Sequence, residues 1–194
     1  MLKNIAVLVS GGGTNLQALI DAEKSGIIKS GKINLVVSDR EGAYALERAQ
    51  NAGIASAYVK KGADFEAKLI EALEDAKVDI IVLAGFLSIL SESFVKRYDK
   101  RIINVHPSLI PSFCGDGFYG LRVHEAALKK GVKVSGATTH FVNEITDGGK
   151  IILQKAVYIN PDDDAESLQK RVMEEAEWKI LPEAVELVCS GQVE

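Results

Sequence analysis

The residues best suited to acid–base chemistry lie in the phrase Asn104-Val105-His106-Pro107, at the carboxyl end of a predicted strand. Because side chains two positions apart on a strand point to the same face, Asn104 and His106 should lie side by side. Histidine can move a proton near neutral pH, and an amide beside it can donate a hydrogen bond to a developing oxyanion. A structural histidine at a strand end fits the same spacing equally well.

A carboxylate that could serve this histidine lies further along the chain. Asp147 precedes two glycines in a turn that follows a predicted strand carrying His140. If Asp147 points back at His106, its charge should orient the imidazole ring and raise the pKa of His106 above the usual value of about 6.5. A hairpin turn, in which Asp-Gly is common, is the simpler interpretation. His140 is then either a core residue or a support for the site.

A glycine-rich turn, Ser10 to Asn15, follows the first predicted strand and opens the first helix. Its glycines let backbone N–H groups approach an anion, and the N-terminus of the helix adds unpaired donors and partial positive charge. The turn is neither a P-loop nor a complete G-x-G-x-x-G motif, because Leu16 stands where the third glycine belongs. It therefore predicts a phosphate site, with a plain strand-to-helix turn as the alternative.

The elements that must position these residues alternate between short apolar strands and helices, which is typical of an α/β fold. We expect a single-domain Rossmann-like sheet over residues 1–194, mostly parallel, flanked by helices and antiparallel in its C-terminal part. A long irregular loop follows His106, and His124 is expected on the surface of a helix. Predicted strands cover residues 5–9, 33–37, 55–59, 79–84, 102–105, 134–142 and 151–158. Predicted helices cover residues 15–25, 43–52, 64–76, 121–130 and 165–190, the last bent near Pro182.

Composition narrows the class of protein. The net charge of −4 over 194 residues argues against non-specific nucleic-acid binding. Cys114 and Cys189 are the only cysteines, which gives no zinc spacing and no disulfide framework. No apolar run approaches the roughly 20 residues that span a bilayer. We therefore expect a cytoplasmic protein without a metal, a nucleic-acid partner or a membrane partner.

Three phrases, residues 10–15, 104–111 and 140–149, closely resemble the phosphoribosylglycinamide formyltransferase family of purine biosynthesis. Residues 82–86 and 151–154 support the resemblance, which covers nearly the whole chain. The resemblance implies an enzyme that transfers a formyl group from 10-formyltetrahydrofolate to the amino group of glycinamide ribonucleotide. Its partners would be these two small molecules, and the chain would be a monomer or a homodimer.

The resemblance also implies roles for particular residues. Asn104, His106 and Asp147 match the catalytic trio of the family. Four residues match positions that bind the ribonucleotide substrate: Gly13, Thr14, Asn15 and Glu177. Two segments match the lining of the folate pocket: Leu87, Ser88, Ile89 and Leu90, and Asn143, Glu144, Ile145, Thr146 and Asp147.

Three other functions are compatible with parts of this pattern. Methionyl-tRNA formyltransferase and formyltetrahydrofolate deformylase use the same trio, but the first carries an additional C-terminal domain and the second an N-terminal one. A tRNA-binding protein would also be expected to be basic. A non-catalytic nucleotide-binding module would retain the glycine turn without needing Asn104, His106 and Asp147 together.

Overall fold

The fold is built on one mixed β-sheet, which the computed structural model describes within residues 1–193 of the chain. The strands are β1 (Lys3–Val9), β2 (Gly31–Ser38), β3 (Ala55–Tyr58), β4 (Ile80–Leu83), β5 (Ile102–His106), β6 (Val134–Phe141) and β7 (Ile151–Tyr158). The helices are α1 (Thr14–Ser25), α2 (Tyr44–Asn51), α3 (Phe65–Asp75), α4 (Glu92–Arg97), α5 (Leu121–Lys130), α6 (Ala165–Val172) and α7 (Trp178–Cys189). A π-helical turn, Met173–Glu177, joins α6 to α7.

The strand order is β3-β2-β1-β4-β5-β6-β7, and β1 to β5 pair in parallel. β6 pairs antiparallel with both β5 and β7, which confirms the predicted antiparallel C-terminal part. From β1, the chain adds β2 and β3 on one side of the sheet and then returns to add β4 and β5 on the other side, so the order of the strands reverses between β1 and β4. In open α/β sheets, such a switch point creates a crevice beyond the carboxyl ends of the strands.

Two apolar layers cover the sheet. Along β1, Ile5 and Val7 belong to one buried cluster, whereas Ala6 and Leu8 belong to the other, because successive side chains point to opposite faces. Helices α1, α2, α6 and α7 contribute to the first cluster, and α3 and α4 contribute to the second. This two-sided burial explains the unbroken apolar runs of the parallel strands and confirms the predicted Rossmann-like α/β class.

The predicted helices and strands are found close to their expected limits, with two differences. Helix α4 was not predicted; Ser91 caps it by accepting a hydrogen bond from the N–H of Phe94. The single helix predicted over residues 165–190 is interrupted before Pro182 by the π-helical turn, where the N–H of Trp178 donates to the carbonyl of Met173. α7 then continues through the buried Pro182.

The expected surface position of His124 is also wrong. His124 lies on the buried side of α5 with Val123 and Ala127 and is fully excluded from solvent. Burial lowers the pKa of His124 to about 4, so its ring is neutral at physiological pH. The spacing of Val123 and Ala127, one helical turn apart, places His124 on that apolar side.

Among the described residues, none of the helices combines the length and the apolar character that a membrane-spanning segment requires.

Candidate active site

The structure brings Asn104, His106 and Asp147 together at the carboxyl edge of the sheet. Asn104 and His106 share a face of β5, and antiparallel pairing sets Asn104 directly opposite His140 of β6. The turn between β6 and β7 then returns Asp147 to this edge. Its Oδ2 atom lies 3.4 Å from Nδ1 of His106, and its Oδ1 atom lies 3.6 Å from Nε2 of His140.

Asp147 is a buried carboxylate held from several sides. Its Oδ2 accepts a hydrogen bond from the N–H of Gly115 at 2.9 Å, and its Oδ1 accepts a long one from Nδ2 of Asn104 at 3.5 Å. Burial by itself raises the pKa of Asp147, but the His140 side chain, the Gly115 N–H and His106 outweigh it and hold that pKa below its usual range. Asp147 is therefore ionised at neutral pH.

The backbone conformation of the turn that carries Asp147 is tightly restricted. A Cβ atom on Gly149 would lie 1.7 Å from the carbonyl oxygen of Phe141, so only glycine allows the turn to pass this close to β6. Asp147 itself has a positive φ of 54°. With this backbone conformation, the Asp147 carboxylate lies beside His106 and His140.

His106 is a neutral ring beside this charge. Its Nε2 lies 2.8 Å from the carbonyl oxygen of Phe113, and because a carbonyl can only accept, Nε2 carries a proton. Burial lowers the pKa of His106 below its usual 6.5, and this outweighs the raising effects of Asp147 and the Phe113 carbonyl. The expectation that Asp147 raises this pKa overall is therefore wrong, because the desolvation of the ring is larger than its attraction to the carboxylate.

His140 orients the Asn104 amide. Its Nδ1 donates to the carbonyl of Phe141 at 2.8 Å, and its Nε2 lies 3.1 Å from Nδ2 of Asn104, an amide nitrogen that can only donate. The sequence left two interpretations of His140, a core residue or a support for the site. Its contacts with Asn104 and Asp147 agree with the second. The second hydrogen of the Asn104 amide makes only the 3.5 Å contact with Asp147.

In the glycine turn, the carbonyl oxygens of three glycines are bonded, whereas the amides are not. The carbonyls of Gly11, Gly12 and Gly13 accept from the N–H of Ala45 at 3.1 Å, Nε of Arg48 at 2.8 Å and the N–H of Gln17 at 2.9 Å, respectively. Within residues 1–193, none of the backbone N–H groups from Gly11 to Asn15 has an acceptor. These donors at the start of α1 suit an anion. No sequence signal identified Arg48.

Asn15 and Glu177 meet beneath this turn. Nδ2 of Asn15 donates to Oε2 of Glu177 at 2.7 Å, and both residues are buried. The π-helical turn ends at Glu177 and so lies against the start of α1; such turns are frequent at functional sites. Burial raises the pKa of Glu177 to about 7, although the hydrogen bond from Asn15 acts in the opposite direction. Thr14 makes only a long contact, 3.9 Å from Oγ1 to Sδ of Met173.

The two segments expected at the folate pocket combine anchored backbone with exposed apolar side chains. The N–H of Leu87 donates to Oγ of Ser10 at 2.8 Å, and the N–H of Ile145 donates to Oδ1 of Asn143 at 3.1 Å. Ile89 is 89% exposed and Ile145 is 63% exposed. Leu90 packs on the second core cluster, and Thr146 donates to Oδ1 of Asp116 at 3.1 Å. Glu144 lies between these anchored positions on the exposed turn.

Over residues 1–193, no group of three or more His, Cys, Asp or Glu side chains could hold a metal ion.

Comparison with known proteins gives a consistent family. Residues 3–185 match the family described as "Formyl transferase". The chain is 40% identical to the phosphoribosylglycinamide formyltransferase of Haemophilus influenzae, over 99% of this chain and 90% of that protein. It is 42% identical to the human trifunctional purine biosynthetic protein adenosine-3 over 98% of this chain, but it spans only 19% of that protein's length. A crystal structure of glycinamide ribonucleotide transformylase 1 from Symbiobacterium toebii superposes with a TM-score of 0.91 at 40% identity, covering 100% of this chain and 91% of that one.

Gly13→Ala should destabilise the protein by about 2–3 kcal/mol. Gly13 has a φ of 72°, and an added Cβ would lie 2.6 Å from Cβ of Ala45. Urea unfolding measures the loss. Gly12→Ala is the matched control, since nothing lies within 4 Å of the added atom, and it should cost less than about 1 kcal/mol. Equal losses in the two variants would show that contact with α2 does not fix the turn.

Glu177→Gln should remove the free-energy cost of burying an ionised Glu177, which lowers the stability of the wild type as pH rises. The pKa of Glu177 is about 7 in the folded protein and 4.5 in the reference state, so wild-type stability falls as pH rises from 4.5 to 7. Relative to wild type, the free energy of unfolding of the variant should gain up to ~3 kcal/mol across that window, at about 1.36 kcal/mol per pKa unit. Urea unfolding at a series of pH values provides the measurement. Glu183→Gln, on the exposed side of α7, is the control for the loss of a carboxylate elsewhere on the same helix. A stability difference between Glu177→Gln and wild type that does not change with pH would contradict the raised pKa.

Proposed function

Because this chain belongs to the phosphoribosylglycinamide formyltransferase family, we propose that it transfers a formyl group from 10-formyltetrahydrofolate to the amino group of glycinamide ribonucleotide in de novo purine biosynthesis. The observation that carries this proposal is the convergence of Asn104, His106 and the ionised Asp147 at one sheet edge. An amide, a histidine and a carboxylate in contact are what acyl transfer between two nitrogens requires.

In the proposed reaction, the substrate amine attacks the formyl carbon and a negative charge develops on the formyl oxygen. The two donors closest to hand are Nε2–H of His106 and the second hydrogen of the Asn104 amide. The His106 N–H now donates to the Phe113 carbonyl, and the Asn104 hydrogen makes only a 3.5 Å contact with Asp147. To accept from both donors, the formyl oxygen must take the place of the Phe113 carbonyl and of this long contact. The loop that carries Phe113 must shift for this to happen.

Proton balance assigns a role to Asp147. The attacking amine gives up one proton, and the departing folate nitrogen N10 takes one. Because the neutral His106 carries its proton on Nε2, the ring relays a proton by accepting one at Nδ1 and releasing the Nε2 proton to N10; in the other route an ordered water carries the proton between the two substrate nitrogens. His106 begins neutral, and an ionised Asp147 at 3.4 Å stabilises the imidazolium when the ring holds a proton during transfer. A carboxylate that stays charged therefore supplies electrostatic stabilisation without giving up a proton itself.

The ribonucleotide phosphate is assigned to the glycine turn, where Gly13, Thr14 and Asn15 lead into α1. The open N–H groups and the partial positive charge of the helix favour a phosphate there. Glu177, bonded to Asn15, fixes the amide side chain below the turn and is the residue proposed to contact the ribonucleotide.

The folate co-substrate is assigned to Leu87, Ser88, Ile89 and Leu90 and to residues 143–147. Exposed apolar side chains such as Ile89 and Ile145 offer surface that a planar aromatic ligand would cover. Asp147 ends the second segment, so folate bound along it would bring its formyl group to the catalytic trio. No step in this scheme uses a metal.

We extend the proposal to the organisation of the protein. Residues 1–194 form one formyltransferase domain, which acts on small molecules in the cytoplasm, and the single sheet that includes every strand of residues 1–193 supports it. A monomer or a homodimer stays a prediction from the sequence.

An acceptor assay tests the proposed function. The protein is incubated with 10-formyltetrahydrofolate and, separately, with glycinamide ribonucleotide, methionyl-tRNA or water alone as acceptor. The proposal expects formyl transfer to the ribonucleotide and little to the other two. Faster transfer to tRNA or release of formate would assign one of the alternative reactions, and no turnover with any acceptor would favour a binding module.

Asp147→Asn should reduce the transfer rate at neutral pH by roughly 100-fold or more, because it keeps the shape but deletes the charge beside His106. The pKa of His106, already lowered by burial, should fall further. NMR titration of His106 and steady-state rates measure both effects, and the ribonucleotide Kd should change by less than about 2-fold. Unchanged rates would leave Asp147 as a turn residue only.

The titration of His106 beside Asp147 should make the free energy of unfolding depend on pH. The folded pKa of His106 lies below its unfolded value near 6.5, so folding releases its proton in acid. The stability associated with the neutral ring is present above pH 6.5 and is lost as pH falls through the folded pKa. Asp147→Asn, by lowering that pKa further, should extend this loss to lower pH in urea-unfolding measurements. The comparison is made above about pH 5, where the carboxyl of Asp147 stays ionised in both states and adds no acid loss of its own. A smaller loss in the variant over that range would contradict the assignment.

Gly12→Val tests the phosphate assignment without disturbing the fold, because an added Cβ meets open space. The branched side chain should stand over the open amides and raise the KM for the ribonucleotide by about 10-fold or more. The KM for the folate serves as the internal control and should change by less than about 2-fold. Equal changes in both KM values would count against a phosphate-specific turn.

A further inference from the structure

Four loops at the carboxyl edge of the sheet meet at one buried side chain, that of Asp39. Asp39 follows β2, and its side chain has no exposed surface. Its Oδ2 accepts hydrogen bonds from Oγ of Ser88, after β4, at 2.6 Å and from Nζ of Lys61, after β3, at 2.9 Å. Ser10, after β1, lies against the same carboxylate.

The first two residues of the segment Leu87–Leu90 are both fixed by this cluster. The N–H of Leu87 donates to Oγ of Ser10, and the hydroxyl of Ser88 donates to Asp39. The next side chain, Ile89, is almost fully exposed. The segment is therefore anchored at its start, by Ser10 and Asp39, and open to a ligand beyond it.

Asp39 keeps its charge despite its burial. Burial raises its pKa, but the hydrogen bonds from Ser88, Ser10 and Lys61 and the charge of Lys61 outweigh this effect and hold the pKa below its usual range. A buried charge of this kind is costly, and replacing such a pair with apolar side chains is often neutral or stabilising. Its Oδ1 also has no hydrogen-bond partner within residues 1–193. The contacts that keep Asp39 ionised are therefore the ones that tie the loops after β1, β3 and β4 to this carboxylate.

We propose that Asp39 is a positioning residue for the folate side of the site: its carboxylate holds Ser88 and Lys61 in place and thereby fixes the segment Leu87–Leu90 in the conformation that binds the co-substrate. The proposal rests on the proposed function, because that function assigns this segment to folate. Asp39 touches the glycine turn only at Ser10, and it makes no contact with the Asn15 and Glu177 pair, so ribonucleotide binding should depend on Asp39 much less than folate binding does.

Asp39→Asn tests the role of the charge at constant size. The new amide oxygen can still accept from Ser88, but the amide group cannot form an ion pair with Lys61. Calorimetry should show that the Kd for tetrahydrofolate, which carries no formyl group to transfer, rises about 10-fold. The Kd for glycinamide ribonucleotide should change by less than about 2-fold, and kcat at saturating substrates by less than about 3-fold.

Amide hydrogen exchange gives a readout that does not depend on a ligand. In free Asp39→Asn, exchange over residues 86–91 should accelerate, whereas exchange over residues 102–106 of β5 should stay as in wild type. A purely structural role for Asp39 would instead loosen both regions together.

Lys61→Met provides a second variant, since it removes the partner charge from a half-exposed side chain without emptying the core. It should weaken tetrahydrofolate binding in the same direction, and the double variant should bind no more weakly than Asp39→Asn, because both changes break one interaction. Lys68→Met, which breaks an exposed pair with Asp64, is the matched control and should leave both Kd values unchanged. If Asp39→Asn fails to fold, the Lys61 and Lys68 variants alone decide the question.

Two results would overturn the proposal: an unchanged tetrahydrofolate Kd in Asp39→Asn and Lys61→Met, or equal weakening of both ligands. Wild-type protein separates this inference from the proposed function. A wild type that binds both ligands but transfers no formyl group contradicts the function and leaves the positioning test standing. A wild type that does not bind tetrahydrofolate contradicts both.

Discussion

The buried charge of Asp147 is the constraint on which the site depends. An ionised carboxylate with little access to water is stable only when donors surround it, and here the Gly115 N–H and the Asn104 amide donate to Asp147, while His106 and His140 lie within 3.6 Å of it. Those groups come from β5, from β6 and from the loop that precedes α5. The antiparallel β5–β6 pairing and the glycine that lets the turn approach Phe141 are the means by which the fold brings them into contact.

The site divides into two halves across the switch between β1 and β4. On one side, α2 holds the carbonyl oxygens of the glycine turn and leaves the amides of the turn for an anion. On the other, the loop after β4 is anchored through Ser10 and Asp39 and leaves apolar side chains exposed. In the proposed function, each half would bind its own ligand with backbone that is already anchored, so Asn104, His106 and Asp147 between them would meet two ligands in set positions.

Much of this arrangement could be predicted from the sequence because it follows from local pattern. Apolar runs marked the parallel strands, the glycines marked the first turn, and two-residue spacing put Asn104 and His106 on one face. What could not be predicted depends on desolvation and on long-range contacts. Burial reverses the expected pKa shift of His106, and Asp39 becomes a junction only when four loops meet. His124 is different, because the apolar spacing around it already indicated burial.

In the free protein, a neutral His106, protonated on Nε2, lies beside an ionised Asp147, and the proposed chemistry starts from this state. Nitrogen-15 NMR of imidazole-labelled protein measures the state directly, since protonated and unprotonated ring nitrogens have well-separated shifts. At pH 7, His106 should give one protonated nitrogen, Nε2, and one unprotonated nitrogen, Nδ1. Two protonated nitrogens at pH 7 would mean an imidazolium already paired with Asp147 and would contradict this starting state.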